Sequence, residues 1–98
     1  MIIRIVELRC TPDSASRALE LVNDIAPKVR QSMGCFHLEI LVDIRKKGHI
    51  STFSKWESED HLNAYRDSAL FKNFWASIKP HFAEPAKAWS SSSAVYLP

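Results

Sequence analysis

Strand-like and helix-like patterns of apolar residues alternate along this 98-residue chain. The order of these segments is compatible with few folds. Ile2 to Cys10 is rich in β-branched residues, which is typical of a strand. The next segment carries apolar residues at i, i+3, i+4 and i+7 spacing, which predicts a helix with one buried face. The apolar stripe of this helix consists of Ala15, Ala18, Leu19, Val22, Ile25, Ala26 and Val29.

Local signals mark the limits of this first helix. Thr11 can cap its N-terminus, Pro12 suits the first helical position, and Asp13 complements the helix dipole. Pro27 removes one backbone hydrogen bond, so we expect a kink or a looser last turn there. Gly34 is the predicted stop.

A hairpin and a second helical region follow. Cys35 to Asp43 and His49 to Trp56 are predicted strands, joined by a turn over Arg45 to Gly48. Ser58 is the predicted N-cap of the second helix, and Ser68 is expected to cap a further helical piece after a break. The apolar residues of that piece are Phe71, Phe74, Trp75, Ile78 and Phe82.

The C-terminal region completes the order β-α-β-β-α-β. Ala86 to Leu97 is predicted as an edge strand, although Ser90 to Ser93 are poor strand formers. Right-handed crossovers then give a four-stranded antiparallel sheet with both helices on one face and the first and third strands in its centre. The sequence therefore predicts one α+β domain over residues 1–98, with a ferredoxin-like βαββαβ topology.

The residue pattern of the first two strands predicts that another molecule covers the sheet face opposite the helices. Both alternating sets of residues in these strands include apolar ones, such as Ile3 and Ile5 on one side and Val6 and Leu8 on the other. A sheet with one face in water shows cleaner alternation than this. We therefore expect a second copy of the chain to cover the open face, giving a homodimer.

Charge and cysteine content narrow the class of protein. The net charge is only +2, and we interpret the basic cluster Arg45 to Lys47 as a solvated turn, so no nucleic-acid partner is predicted. The N-terminus runs directly into a strand, and no apolar run approaches the roughly 20 residues of a membrane span. Cys10 and Cys35 lack metal-type spacing and should lie at opposite ends of the sheet, so we expect a reduced, cytoplasmic protein without a metal site.

Three segments together resemble a known family. They are Gly34 to Phe36 at the start of the second strand, Trp56 at the end of the third, and the run from Glu59 to Phe71. This combination resembles the antibiotic biosynthesis monooxygenase (ABM) domain, from the first strand to about Trp89. The resemblance implies a dimeric α/β barrel with a pocket between sheet and helices in each subunit. It also implies cofactor-free oxygenation of phenols and quinols, or oxidative haem degradation, although other members have no demonstrated reaction.

The chain departs from the family pattern at four positions. Many quinol-oxidising members carry Glu where this chain has Ser54, and His where it has Tyr65 and Leu70. The haem-degrading branch carries a His ligand where this chain has Trp75. Haem iron needs such a ligand, so we predict no cofactor and rank haem degradation as the weakest alternative.

Six residues are the candidate site under this resemblance. Tyr65, Asn63 and His37 are the predicted catalytic residues, and Trp56, Trp75 and Phe71 are the predicted substrate-binding walls. Each has an alternative role. The aromatic residues can simply belong to the core, with the Tyr65 hydroxyl bonded to backbone, and Asn63 can face solvent. His37 is an interface residue if it lies on the dimer face, and the best general base in the chain if it lies on the helix face.

Two functions remain open at this stage. The first is a cofactor-independent monooxygenase that oxidises a small aromatic, of phenol or quinol type, with O₂. The second is a non-catalytic, small-ligand-binding or stress-related dimer, which the absent Glu and His favour. An apolar cavity with one or two polar groups satisfies both functions, so the geometry of the site has to distinguish them.

Overall fold

One antiparallel sheet of four strands organises the molecule, in a computed structural model that describes all residues from Met1 to Pro98. The strands are β1 (Ile2–Arg9), β2 (Cys35–Val42), β3 (His49–Trp56) and β4 (Lys87–Ser91). The helices are α1 (Ala15–Arg30), α2 (Glu59–Arg66) and α3 (Ala69–Ile78), with short 3₁₀ turns at Pro12–Ser14 and Lys79–His81. The strand order is β2-β3-β1-β4, which confirms the predicted α+β ferredoxin-like fold with β1 and β3 in its centre.

The first helix begins differently from the prediction. The Thr11 side chain makes no capping hydrogen bond; instead its carbonyl accepts a hydrogen bond of 3.0 Å from the Ser14 N–H. Pro27 lies inside α1, which continues through it to Arg30, so the proline does not end the helix. Gly34 then adopts φ +83°, a conformation that other residues rarely accept.

The predicted caps of the second helical region are confirmed. The Ser58 hydroxyl accepts a hydrogen bond of 3.3 Å from the His61 N–H at the start of α2. The Ser68 hydroxyl accepts one of 3.2 Å from the Phe71 N–H at the start of α3. Each cap satisfies a backbone donor that the first helical turn leaves free, which typically contributes about 1 kcal/mol. The two caps fix the break between α2 and α3 that the sequence predicts.

The fourth strand is shorter than predicted. It covers only Lys87–Ser91, where the prediction extended it over Ala86 to Leu97. Its pairing with β1 ends where Ser91 lies opposite Ile3. Only Ile2 of β1 lies beyond this pair, so a longer β4 would run past the start of β1 and lose its partner strand. Residues 92–98 are exposed.

Two buried clusters hold the helices against one face of the sheet. The first contains Leu8, Cys10, Ala18, Val22, Ile50 and Ile78. The second contains Val29, Cys35, Trp56 and Leu62. Cys10 and Cys35 belong to different clusters and both are free thiols, as their positions at opposite ends of the sheet predicted. None of the helices combines the length and apolar character needed to cross a bilayer.

The register divides the side chains of the sheet between two faces. Arg4 of β1 lies opposite Ser54 of β3 on the helix side, and Ile5 lies opposite Phe53 on the other side. No element of the chain packs over this second face, and its Trp89 is 42% exposed. The face carries the apolar residues Ile3, Ile5, Phe53 and Trp89 among charged ones and is uncovered within one chain, as the two-sided strand pattern predicted.

Candidate functional site

An apolar cavity of about 300 Å³ lies between the sheet and the helices, in the space between the two buried clusters. Twenty residues line it, and 16 of them are hydrophobic. Small-molecule sites in proteins are typically concave and apolar, with a few polar groups that orient the ligand. The cavity has the size and character of such a site.

A continuous series of aromatic rings forms one wall of the region. Trp56 stacks on Tyr65 with ring centroids 5.1 Å apart, and Tyr65 meets Phe71 edge-on at 5.4 Å. Phe71 stacks on Trp75 at 5.6 Å, and Trp75 meets Phe82 edge-on at 5.5 Å. The first four rings line the cavity. Offset stacks and edge-to-face pairs are the favoured aromatic geometries, so the wall is preorganised.

Trp56 belongs to the core and to the cavity wall at the same time. Its side chain is 1% exposed, and its Nε1–H donates a hydrogen bond of 2.9 Å to the Ser54 hydroxyl oxygen. That hydroxyl in turn lies 3.5 Å from the carbonyl oxygen of Arg4, to which it donates. Ser54 therefore satisfies the buried indole N–H at the position where the resemblance places a Glu.

Tyr65 supplies the one hydroxyl of the aromatic wall. It has no hydrogen-bond partner in the protein, and no fully buried polar side-chain atom in the molecule lacks one. The hydroxyl therefore keeps some accessible surface and is free to bond to water or to a ligand. Burial, with a smaller contribution from Cys35, raises the pKa of Tyr65 to about 12. The hydroxyl consequently keeps its proton near neutral pH and acts as a hydrogen-bond donor.

Two arginines give the cavity a positive end. Arg4 of β1 and Arg66 at the end of α2 both line it, and no Asp, Glu or His does. The Arg4 guanidinium donates a hydrogen bond of 3.2 Å to the Ser90 hydroxyl, and neither arginine has a carboxylate partner within ion-pair distance. Burial and the neighbouring charge of Arg66 lower the pKa of Arg4 from its usual value.

The structure brings four of the six predicted site residues together. Tyr65, Trp56, Trp75 and Phe71 line the one cavity. Asn63 is exposed on α2 and lies outside the cavity lining. His37 also lies outside it, on the uncovered face of the sheet opposite Lys55. Four of the six predicted residues therefore lie together at the cavity, and Asn63 and His37 lie apart from them.

A β-bulge explains the position of His37. Cys35 pairs with Trp56 and His37 with Lys55, so Phe36 has no partner on β3. The extra residue places Cys35 and His37 on opposite faces, although they are two apart in sequence. His37 Nε2 lies 2.8 Å from a carboxylate oxygen of Glu39. Two roles were left open for His37, and its position on the uncovered sheet face matches that of an interface residue.

The two arginines are the site residues that the sequence analysis missed. Arg4 interrupts an apolar strand and shares its alternating set with Val6 and Leu8, both of which face the helices. A charged residue in a core-facing set is a usable signal for a functional position. Arg66 carries no comparable signal, because an exposed arginine in the last turn of a helix is common.

No metal centre accompanies this site. No group of three or more His, Cys, Asp or Glu side chains is close enough together to bind a metal ion. The cavity lining also contains no His, Cys or Met. The residues present therefore do not fit haem, because its iron takes His, Cys or Met, or a Tyr in its ionised form, and Tyr65 keeps its proton near neutral pH. Trp75, at the position of the haem-ligating His, instead stacks on Phe71.

Comparisons with known proteins agree with the fold. The family model described as antibiotic biosynthesis monooxygenase matches residues 1–77. No curated protein matches the chain. A solved structure of an antibiotic biosynthesis monooxygenase superposes with a TM-score of 0.91 at 19% identity, covering 97% of this chain and 100% of the other. Rv0793 from Mycobacterium tuberculosis gives 0.89 at 18% identity, covering 99% and 98%. PA3566 from Pseudomonas aeruginosa gives 0.87 at 13% identity, covering 96% and 94%.

The structural matches are all below 25% identity and support the fold alone. The family model covers more than half of the 98 residues, including every residue of the two buried clusters except Ile78 and the aromatic wall as far as Trp75. On that match, the chain belongs to the antibiotic biosynthesis monooxygenase family.

Proposed function

We propose that the chain is a cofactor-independent monooxygenase that oxidises a small phenol or quinol with O₂. The observation that carries the proposal is the Tyr65 hydroxyl, which has no protein partner and belongs to the aromatic wall of a mainly apolar cavity. A flat aromatic substrate would pack against Trp56, Phe71 and Trp75 and receive one hydrogen bond from Tyr65. The family assignment supports the reaction type.

The chemistry proposed here needs an ionised substrate near O₂. A phenolate gives up electrons to O₂ more readily than the neutral phenol, so its stabilisation accelerates the reaction. Tyr65, with its raised pKa, would donate a hydrogen bond to the substrate oxygen. The positive end formed by Arg4 and Arg66 would favour the phenolate by lowering its pKa.

The proposed reaction requires no external reductant. A phenol with a free para C–H and one O₂ give a quinone and one water, and a quinol with another free ring C–H and one O₂ give a hydroxyquinone and one water. One oxygen atom enters the ring carbon, the other leaves as water, and the substrate supplies all the electrons. The low-polarity cavity would exclude bulk water from the reactive oxygen species formed on the way.

Oxygen uptake tests this proposal. The purified protein is incubated in air with a panel of phenols and hydroquinones, against a protein-free blank. Tyr65→Phe removes the proposed donor, and Tyr96→Phe is a matched control because Tyr96 is 72% exposed. We expect uptake above the blank with the wild type and Tyr96→Phe, and a loss of roughly 10-fold or more with Tyr65→Phe. An absence of uptake across the panel would contradict the proposal.

One observation favours a second function, that of a non-catalytic small-ligand-binding dimer. No carboxylate or imidazole lines the cavity, so no side chain with a pKa near neutrality is present to accept a phenolic proton. Tight binding of 2-naphthol without O₂ uptake would favour this function. A Soret shift on addition of hemin would instead restore the haem-degrading alternative.

A homodimer is part of the proposal. The uncovered sheet face carries Ile3, Ile5, Phe53 and Trp89, and a second copy of this face would remove these side chains from water. Sedimentation equilibrium at micromolar concentration should give twice the chain mass of 11.2 kDa. A single-chain mass at that concentration would contradict the dimer.

A further inference from the structure

Neither of the two cavity arginines has an anionic partner within the chain. Arg4 is half-buried on the helix side of β1, where its neighbours Val6 and Leu8 are apolar. Its one side-chain hydrogen bond goes to the neutral hydroxyl of Ser90. Arg66 follows Tyr65 on α2 and lines the same cavity. A cation that is partly withdrawn from water is stabilised by an anion beside it, and Arg4 has none within the chain, so we look for its partner outside the chain.

The second cation strengthens this indication. The charge of Arg66 reaches the Arg4 guanidinium closely enough to disfavour its protonated form. Two like charges held near each other cost free energy in the empty protein, and an anion between them would turn that repulsion into attraction. The lining contains no carboxylate that could already do so. The arrangement thus resembles a binding site more than a structural ion pair.

The position of Arg4 and Arg66 relative to the aromatic wall indicates which class of ligand fits the cavity. Arg4 lies opposite Ser54 on the neighbouring strand, and Ser54 holds the indole of Trp56. Arg66 is the residue after Tyr65, whose ring stacks on Trp56. The cations therefore adjoin the Trp56–Tyr65 part of the wall. A ligand ring on that wall would present an acidic substituent to the guanidinium groups, which suit carboxylates particularly well.

We propose that Arg4 and Arg66 form an anion subsite of the aromatic cavity, and that its ligand is a planar aromatic carrying a carboxylate. This inference rests on the function proposed above and adds the substrate class. The carboxylate would hold the molecule in one orientation, while the phenolic part of the ring system would meet the Tyr65 hydroxyl. A neutral quinol of the same size would bind more weakly.

A pair of probes that differ only in charge tests the subsite. Binding of 2-naphthoate and of its neutral isostere 2-naphthamide is measured by isothermal titration calorimetry. The variants are Arg4→Met and Arg66→Gln, the second of which changes an exposed position and should leave the fold intact. Arg45→Gln is the matched control, because it removes one exposed arginine from the hairpin turn, outside the cavity lining.

We expect the wild type and Arg45→Gln to bind naphthoate at least about tenfold more tightly than naphthamide. This preference should shrink as NaCl is raised, and each cavity variant should lose most of it. Equal binding of the two probes by the wild type would overturn the inference, as would an unchanged preference in both Arg4→Met and Arg66→Gln. Oxygen uptake with neutral quinols is measured separately, so failure of the subsite and failure of the monooxygenase proposal give different results.

Discussion

Replacement of Ser54 by alanine tests how the cavity wall is held in place. Ser54 is 5% exposed, and its hydroxyl oxygen accepts the Nε1–H of Trp56 at 2.9 Å. The indole packs with Val29, Cys35 and Leu62 and stacks on Tyr65, so it cannot turn toward another acceptor. Ser54→Ala would therefore leave a buried N–H without a partner.

The expected loss of stability follows from the unsatisfied N–H of Trp56. A buried polar group deprived of its hydrogen bond typically costs about 1–3 kcal/mol. The middle of this range, about 2 kcal/mol, corresponds to a fall in melting temperature of about 8–16 °C in a domain of this size. Thermal melts and urea unfolding of Ser54→Ala and wild type measure the loss. Ser51→Ala is the matched control, because Ser51 lies on the opposite face of the same strand and its hydroxyl makes no hydrogen bond within the protein.

A double-mutant cycle separates this hydrogen bond from the other effects of the serine. Trp56→Phe removes the N–H donor, so Ser54→Ala should cost about 1 kcal/mol less in that background than in the wild type. The reasoning is refuted if Ser54→Ala and Ser51→Ala lower stability equally. It is also refuted if Ser54→Ala costs the same with and without the indole.

Three further predictions concern other parts of the molecule. Gly34→Ala should lower stability by about 1 kcal/mol or more, because Gly34 has φ +83° and a Cβ there would clash with the His61 ring; urea unfolding measures the loss, and a wild-type midpoint would contradict it. The pKa values of the buried thiols of Cys10 and Cys35 are raised by burial, so both should resist iodoacetamide at pH 8 until denaturant is added; rapid native labelling of either would contradict this. The pKa of Tyr65 rises from 10.0 to about 12 on folding, so the native state keeps a proton that the unfolded state loses, and stability should fall as pH rises between these values. Tyr65→Phe should lose this part of the alkaline decline in urea midpoints, and an identical decline in both proteins would argue against it.

Local signals were sufficient to predict much of the fold. The caps Ser58 and Ser68 act within three residues of their own position, so the sequence around them contains the whole interaction. The exact limits of the third strand, His49–Trp56, follow from a turn and a helix start that flank it directly. Topology then followed from the order of the elements and the preference for right-handed crossovers.

Features that depend on distant partners were not predictable. The end of β4 at Ser91 depends on where β1 begins, near the other end of the chain. The cationic end of the cavity joins Arg4 to Arg66, and only the folded structure brings a residue of β1 next to the end of α2. Which face of the sheet His37 occupies depends on its pairing with Lys55 of β3, a strand that comes later in the sequence.

Because Phe36 lies in a bulge, this extra residue at the start of β2 does not change which of the later β2 residues face the helices. Cys35 and Leu38 both face the helices, as they would in a regular strand with one residue fewer between them. The sheet thus absorbs Phe36 as an insertion, and 51% of its surface remains exposed. Relatives with one residue more or fewer at this corner could keep the same cavity wall. Sequence alignments of this strand are therefore best anchored at Leu38 and Ile40, with any gap placed at the bulge.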